Sequence, residues 1–303
     1  MAPTRIDTLD LNFQGRPQAI ASFLIRQGDA VVLIESGPGS TLPSLAAGLS
    51  AHGLTFADIT HVLLTHIHLD HAGAAGFLAS HGAQVFVHPL GAPHMLNPEK
   101  LIASATRIYG ERMGTLWGEF LPVPPEQLTV PNDAEAIRIG NMEFIPLHTP
   151  GHAEHHFSYL FEGTVFCGDV GGVRIPGYAY LRVPMPPPEL HLERWHASLA
   201  RLRGLKPARI APTHFGVFAD PEWQIAQVEQ GLNSAARWLH EVMPADPPLE
   251  ELRASFTAWM MKEGEQIGLD EAVVKAYEVA NPLGMSADGL QRYWKKVRMA
   301  GGS

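Results

Sequence analysis

The stretch Val62–His71, VLLTHIHLDH, decides the fold of this chain. An apolar strand pattern runs into four potential metal ligands within six residues: His66, His68, Asp70 and His71. Side chains at positions i and i+2 of an extended segment point the same way, so we expect His66 and His68 to reach one ion together. Any one of these residues alone would be read as an ordinary histidine or carboxylate at a strand end. Four together favour two adjacent metal positions.

Three later residues occupy the same kind of position, at the end of a short apolar run followed by a turn. They are His152 in LHTPGH, Asp169 in VFCGD and His214 in IAPTH. Five histidines and two carboxylates form a ligand set that zinc, manganese or iron accepts. One division of the seven gives the first ion His66, His68 and His152, the second ion Asp70, His71 and His214, and lets Asp169 bridge. Each ion then keeps an open position, as catalysis requires.

Composition narrows the function classes. The formal net charge is −9, and no Lys/Arg run occurs, so we expect no nucleic-acid partner. The first residues lack a signal-peptide pattern, and no apolar run approaches the roughly 18 to 20 residues that span a bilayer. We therefore expect a cytoplasmic enzyme with a small-molecule substrate and no membrane partner. The single cysteine, Cys167, excludes an internal disulfide framework and is expected to be a buried, inert thiol.

The pattern of apolar runs divides the chain in two. Short strand-like runs alternate with helical patterns through the first two thirds, which predicts a mixed α/β domain. Residues 92–130 interrupt this alternation with a helical stretch and a proline-rich segment, and they read as a lid-like insertion. From Asp220 onward only helical patterns follow, the last with Ser286 as its cap. We predict a catalytic domain over 1–219 and an all-helical C-terminal extension over 220–303.

The motifs THIHLDH, TPGH, CGD and PTH, in this order, resemble those of the metallo-β-lactamase-fold hydrolases over roughly residues 5–216. The resemblance implies an α/β fold, an αβ/βα four-layer sandwich of two mixed sheets with two metal ions at one edge. Asp169, with no cysteine at the site, is similar to glyoxalase II and the lactonases rather than to true β-lactamases. Many members carry an Asp in the turn where this chain has Glu35, and we expect Glu35 to support the site from one methylene further out.

This resemblance, together with the ligand spacing, implies a dinuclear metal-dependent hydrolase. A metal-bridging hydroxide would attack a carbonyl ester, thioester or lactone, with Asp70 as ligand and proton acceptor. Zinc is the expected metal, with manganese and iron as alternatives. The same ligand residues are compatible with two alternative functions. One is phosphodiester or phosphotriester hydrolysis, and the other is oxygenation by a mononuclear-iron dioxygenase.

Substrate choice is expected to depend on the insertion, the loop 171–188 and the helical extension. In the loop, Tyr178 and Tyr180 are candidates for the pocket lining, and Arg174 and Arg182 are candidates for binding a substrate carboxylate or phosphate. For both pairs the alternative is local packing or solvation. The helical extension either closes the pocket or mediates a homodimer, because both uses hide its apolar surface.

Overall fold

The computed structural model describes residues 4–298. Its strands are β1 Ile6–Asp10, β2 Ala21–Gln27, β3 Ala30–Ile34, β4 His61–Leu63, β5 Gln84–Phe86, β6 Leu128–Thr129, β7 Ile137–Ile139, β8 Met142–His148, β9 Phe157–Phe161, β10 Thr164–Phe166 and β11 Arg209–Ala211. Its α-helices are α1 Leu42–Ser50, α2 Leu69–Ala72, α3 Ala75–Ser80, α4 Ala92–Leu96, α5 Glu99–Tyr109, α6 Met113–Trp117, α7 Leu192–Gly204, α8 Pro221–Val242, α9 Leu249–Gln266, α10 Glu271–Ala280 and α11 Leu283–Tyr293.

The strands form two mixed sheets. The first has the order β1-β2-β3-β4-β5-β6, antiparallel up to β3 and parallel from β3 onward. The second has the order β11-β10-β9-β8-β7, antiparallel except for the parallel pair β10-β11. The predicted mixed α/β fold is confirmed.

Alternation along the strands explains how the two sheets stack. Phe23 and Ile25 of β2 pack between the sheets, against residues such as Phe144 and Phe166 of the second sheet. Leu24 points the other way, toward the helices that cover the outer face of the first sheet. Successive strand residues face opposite sides, so a strand buried on both faces is apolar throughout. Helices α7 and α8 cover the outer face of the second sheet, which completes the predicted four-layer sandwich.

The lid-like insertion and the helical extension are both anchored to this sandwich by close backbone contacts. A Cβ atom on Gly76 would lie 2.0 Å from the carbonyl oxygen of Leu121, within the insertion. A Cβ atom on Gly289 of α11 would lie 2.0 Å from the carbonyl oxygen of Met185. Only glycine permits such an approach. Both regions are therefore packed against the sandwich.

The helical extension is continuous with the core. Ile225, Val228 and Leu232 on one face of α8 are fully buried in the cluster that includes α7. The division at residue 219 stays a prediction. The expected cap at Ser286 is wrong, since α11 begins at Leu283 after Pro282. Ser286 lies inside the helix, where its side chain accepts a hydrogen bond from the backbone N–H of Met185, and it is buried rather than terminal. Within residues 4–298, no helix combines the length and hydropathy needed to cross a membrane.

Candidate metal centre

Seven side chains converge where strands of both sheets end, and we call them the His/Asp cluster. Each follows a strand or begins the helix after it, and carboxyl ends of neighbouring strands share one edge of a sheet. The cluster consists of His66, His68, Asp70, His71, His152, Asp169 and His214. Strand β4 ends at Leu63, three residues before the first of them. The structure thus brings together all seven residues singled out from the sequence.

Three histidines form the first group of the cluster. Nδ1 of His68 lies 2.9 Å from Nε2 of His66 and 3.0 Å from Nε2 of His152. His152 donates its Nδ1 proton to the carbonyl oxygen of Pro184, 3.0 Å away. The Thr65 hydroxyl donates its only proton to the carboxylate of Glu35. The Thr65 oxygen therefore accepts the Nδ1 proton of His66, 3.0 Å away. The Nε2 atoms of His66 and His152 are therefore unprotonated, and their lone pairs point into the first group.

Asp70, His71 and His214 form the second group. Oδ2 of Asp70 lies 3.7 Å from Nε2 of His71 and 3.5 Å from Nε2 of His214. His71 donates its Nδ1 proton to Glu35 at 3.0 Å, and His214 donates its own to the carbonyl oxygen of Ala19 at 2.7 Å. With the Nδ1 protons so placed, a neutral ring of either histidine presents an Nε2 lone pair to a carboxylate, an arrangement that calls for a positive charge between them.

Asp169 lies between the two groups. Its Oδ1 is 3.1 Å from Nε2 of His71 and 3.2 Å from Nε2 of His214, while its Oδ2 is 3.2 Å from Nε2 of His152. Among the described residues, Oδ1 of Asp169 and the Nε2 atoms of His71 and His214 are buried without a hydrogen-bond partner. Lone pairs facing lone pairs repel unless a cation lies between them. Ligand atoms about 2.0 to 2.2 Å from a tetrahedral zinc ion are roughly 3.4 Å apart, so the cluster fits divalent metal.

The electrostatics of the cluster differ between the two groups. Burial and then neighbouring histidines lower the pKa of His66 and His68 well below the usual range. Burial also opposes the charge of His214, but the carboxylates of Asp169 and Asp70 outweigh it and raise the pKa of His214 to about 10. Burial would raise the pKa of Asp70, whereas His71 and His214 lower it to about 2. Asp70 is therefore ionised at neutral pH, and the second group favours positive charge.

Glu35 supports the cluster through hydrogen bonds. Its fully buried carboxylate accepts from the backbone N–H of Thr65 at 3.2 Å, from the Thr65 hydroxyl, from Nδ1 of His71 at 3.0 Å and from the Thr213 hydroxyl at 3.1 Å. The group Glu35, His66 and His71 is also close enough to hold a metal ion. However, four donors already occupy the carboxylate, and it meets His71 on the nitrogen opposite the cluster. Glu35 thus orients ligands, as metal sites usually require.

The cluster forms the floor of a cavity of about 610 Å³. This volume is in the range of small-molecule sites. Five of the seven cluster residues line it, and the other walls come from the segment after β1, the insertion, the segment 184–188 and the helical extension. We call the part contributed by the insertion and the extension the cavity roof: Leu101, Ser104, Ala105, Ile108, Tyr109, Arg112, Leu116, Trp117, Lys275, Glu278, Val279, Ala280, Asn281, Pro282 and Met285. The helical extension therefore contributes part of the cavity wall.

The structure corrects the residues expected to contact substrate. Tyr178 is exposed, and Tyr180 is buried against Tyr277, whose hydroxyl donates to the carbonyl oxygen of Tyr180. Neither lines the cavity, whereas Tyr109 of α5 does. Leu101, Ala105 and Tyr109 recur every four residues, so helical periodicity in the insertion was the signal that could have revealed Tyr109.

The two loop arginines also serve the fold. Arg174 pairs with Asp220 at 2.7 Å and stacks between Phe218 and Trp223. Arg182 is buried, and it donates hydrogen bonds to the carboxylate of Glu278 and to the carbonyl oxygen of Asn281. Both guanidinium groups contact protein partners and neither arginine lines the cavity, so the structure supports the alternative of local packing over their role as candidates for binding substrate.

Cys167 is buried and free, two residues before Asp169. Burial raises the pKa of its thiol well above the usual range. A thiol is a nucleophile only as thiolate, so Cys167 is inert at neutral pH.

Comparison with known proteins places this fold and this cluster in a family of metal-dependent hydrolases. The sequence model of the metallo-beta-lactamase superfamily matches residues 15–214, which include every residue of the His/Asp cluster. The chain belongs to the metallo-β-lactamase superfamily.

Relatives and solved structures agree with this placement. The chain is 26% identical over 204 residues to the metallo-beta-lactamase fold-containing protein ST1585 of Sulfurisphaera tokodaii, covering 65% of this chain and 74% of that protein. It is 28% identical over 152 residues to a hydroxyacylglutathione hydrolase of Shewanella sp. (strain ANA-3), covering 49% of this chain and 43% of the relative. A metallo-beta-lactamase family protein of Thermus thermophilus superposes over 99% of this chain and 95% of its own, with a TM-score of 0.67 and 20% identity. This last likeness shows the fold alone.

Proposed function

We propose that this protein is a dinuclear metal-dependent hydrolase of small carboxylic esters, thioesters or lactones. One observation carries the proposal: the two oxygens of Asp169 touch the two groups of the His/Asp cluster separately. A carboxylate so placed would serve both groups as a ligand. In this proposal His66, His68 and His152 hold one ion, and Asp70, His71 and His214 hold the other.

The cluster is accessible from the cavity side. The side chain of Asp70 is 20% exposed, whereas those of Asp169, His71 and His214 are at most 5% exposed. When bound, the divalent ions would polarise a substrate oxygen and lower the pKa of water. Substrate and water would therefore meet the cluster from the cavity, next to Asp70.

Asp70 is the residue assigned to proton transfer. It lines the cavity, and it is ionised because His71 and His214 lower its pKa to about 2. We propose that the carboxylate of Asp70 accepts the proton of the attacking water. The protonated Asp70 then donates that proton to the leaving group.

Tyr109 is the residue assigned to the substrate's carbonyl oxygen. Its ring packs edge-on against Trp117, 5.1 Å away, and lines the same cavity as Asp70. Burial, and then the charge of Asp70, raise the pKa of its hydroxyl well above the usual range. The hydroxyl thus stays protonated, and we assign it a hydrogen bond to the oxygen on which negative charge develops.

Two observations favour an acyl substrate over a phosphodiester. The cavity walls are largely apolar, with Phe13, Ile20, Leu116 and Trp117 among the lining residues. A relative is named hydroxyacylglutathione hydrolase, and that name denotes an acyl substrate. Apolar walls favour an acyl or aryl group over a polyanion.

The test is a substrate panel on metal-reconstituted protein. We expect turnover of p-nitrophenyl esters, thioesters or lactones, and little turnover of bis-p-nitrophenyl phosphate. Hydrolysis of the phosphodiester alone would contradict the proposal.

The proton-transfer role has its own variant. Asp70→Asn, assayed at verified metal content across pH, is expected to lose most of its kcat. The exposed Asp246→Asn is the control, because its positive φ of 43° suits asparagine as well as aspartate. An unchanged rate for Asp70→Asn at full metal occupancy would remove Asp70 from the mechanism.

A further inference from the structure

We propose that the preferred substrate carries, at the end remote from the scissile acyl bond, a second group that is anionic, and that Arg16, Arg112 and Lys275 bind it. This inference rests on the proposed function, because it names the substrate class of the same cavity. Its basis is that three cations from three separate parts of the chain line one cavity.

The three cations reach the cavity from the N-terminal segment, the insertion and the helical extension. Arg16 follows a turn after β1, Arg112 lies between α5 and α6, and Lys275 lies on α10. All three are exposed, so they lie toward the solvent side of the cavity, whereas the His/Asp cluster forms its buried floor. Arg112 lines the same cavity as Tyr109 and Asp70, so one small molecule in that cavity can contact both ends.

These positive charges are available to a ligand. Among residues 4–298, neither Arg16 nor Arg112 forms an ion pair with a carboxylate at 4.0 Å or less. Lys275 pairs only with Glu271, and both side chains are largely exposed, 60% and 83%. Such exposed pairs contribute little and exchange readily.

The cavity roof contains one acidic residue, and its carboxylate already has protein partners. Glu278 lines the cavity, but it accepts from the buried Arg182 at 3.2 Å and from the backbone N–H of Leu283 at 3.0 Å. The negative charge of Glu278 is therefore compensated by Arg182 and not by the three cations. The cations retain a positive field in a protein whose net charge is −9, and a local field of opposite sign attracts anionic ligands.

Between the floor and these cations the walls are apolar, with Ile20, Leu101, Val279 and Met285 among them. This arrangement fits a molecule with an acyl carbonyl at one end, a hydrocarbon middle and an anion at the other end. Guanidinium groups bind carboxylate and phosphate through paired hydrogen bonds. A carboxylate or a phosphate therefore satisfies the same chemistry.

The test measures binding by calorimetry on the metal-loaded protein. α,ω-Dicarboxylates of four to twelve carbons are compared with monocarboxylates of the same length, so that the floor can take one carboxylate in both series. We expect the dicarboxylate of the best length to bind about tenfold more tightly, since one charge-assisted contact has about that effect. An ω-phosphonocarboxylate of that length distinguishes a phosphate-type anion from a carboxylate.

Variants locate the effect. Arg112→Gln and Arg16→Gln are expected to remove most of the dicarboxylate preference and to leave monocarboxylate binding unchanged. Arg107→Gln is the control, since Arg107 lies on α5 but does not line the cavity. Equal binding of both series at every length, or equal weakening of both by Arg112→Gln, would overturn the inference. Ester turnover without the preference would refute this inference alone, and the preference without ester turnover would refute the proposed function alone.

Discussion

The floor and the roof of the cavity are built in opposite ways. The floor, the His/Asp cluster, is buried and polar, and ring nitrogens such as those of His152 and His214 are fixed by hydrogen bonds to backbone carbonyl oxygens. The roof is apolar and partly exposed, and its polar residues, among them Arg112 and Lys275, reach toward solvent. The floor depends on a few hydrogen bonds, whereas the roof depends on how two remote parts of the chain pack.

This difference separates reaction from specificity. A change in the floor should affect metal binding and every substrate alike, because all substrates react there. A change in the roof should affect substrates unequally, because the roof contacts the parts of a substrate that do not react. The variants below test this separation.

Asp169→Asn should have the largest effect. The variant removes one of the two charges that oppose the ions, and the amide nitrogen would face Nε2 of a histidine. We expect a loss of about a thousandfold in kcat/KM, or about 4 kcal/mol, on every substrate, with lower metal content. Metal analysis and circular dichroism accompany the kinetics, with Asp246→Asn as the control. Retention of both ions and full activity would show that Asp169 is no ligand.

Glu35→Gln should have an intermediate effect. The variant keeps the size of the side chain but weakens the acceptor for His71 and for the hydroxyls of Thr65 and Thr213. We expect metal affinity to fall by about 10- to 100-fold, with activity restored at high metal concentration. Competition with a chelator measures the affinity, and the exposed Glu143→Gln is the control. Unchanged metal affinity would mean that Glu35 serves only the packing of the turn.

Tyr109→Phe should have the smallest effect and should separate floor from roof. The variant removes one hydroxyl from a partly exposed residue of the cavity wall and keeps the packing of its ring against Trp117, so folding is expected to be unaffected. We expect kcat to fall about three- to tenfold with little change in metal content, as for the loss of one neutral hydrogen bond. Tyr178→Phe, outside the cavity, is the matched control. Identical kinetics for Tyr109→Phe and the wild type would remove the hydroxyl from the reaction.

The sequence was sufficient for the floor because its signal is local. His66, His68, Asp70 and His71 lie within six residues, and helical or strand geometry alone brings such side chains together. The later residues of the cluster follow strands, and strand ends share an edge. Residue type and spacing, together with the family resemblance, therefore indicated which side chains meet, and Glu35 was placed through the resemblance, from the Asp that many members carry in this turn.

The roof could not be predicted in the same way, because its geometry comes from long-range packing. Arg174 and Arg182 are on the loop after Asp169, yet they are held by the ring of Phe218 and by a ring and carboxylates of the helical extension. Arg16 and Arg112 are far from any ligand in sequence, and only the docking of the insertion brings Arg112 to the cavity. Proximity along the chain was a poor guide to which polar side chains face substrate.

The most direct test of the account is a metal titration of chelator-treated protein, followed by p-nitrophenyl ester turnover and bound-metal analysis in the same samples. The account predicts that activity rises with added zinc, manganese or iron and saturates at two equivalents per chain. Saturation at one iron per chain, with oxygen uptake and without ester hydrolysis, would contradict it.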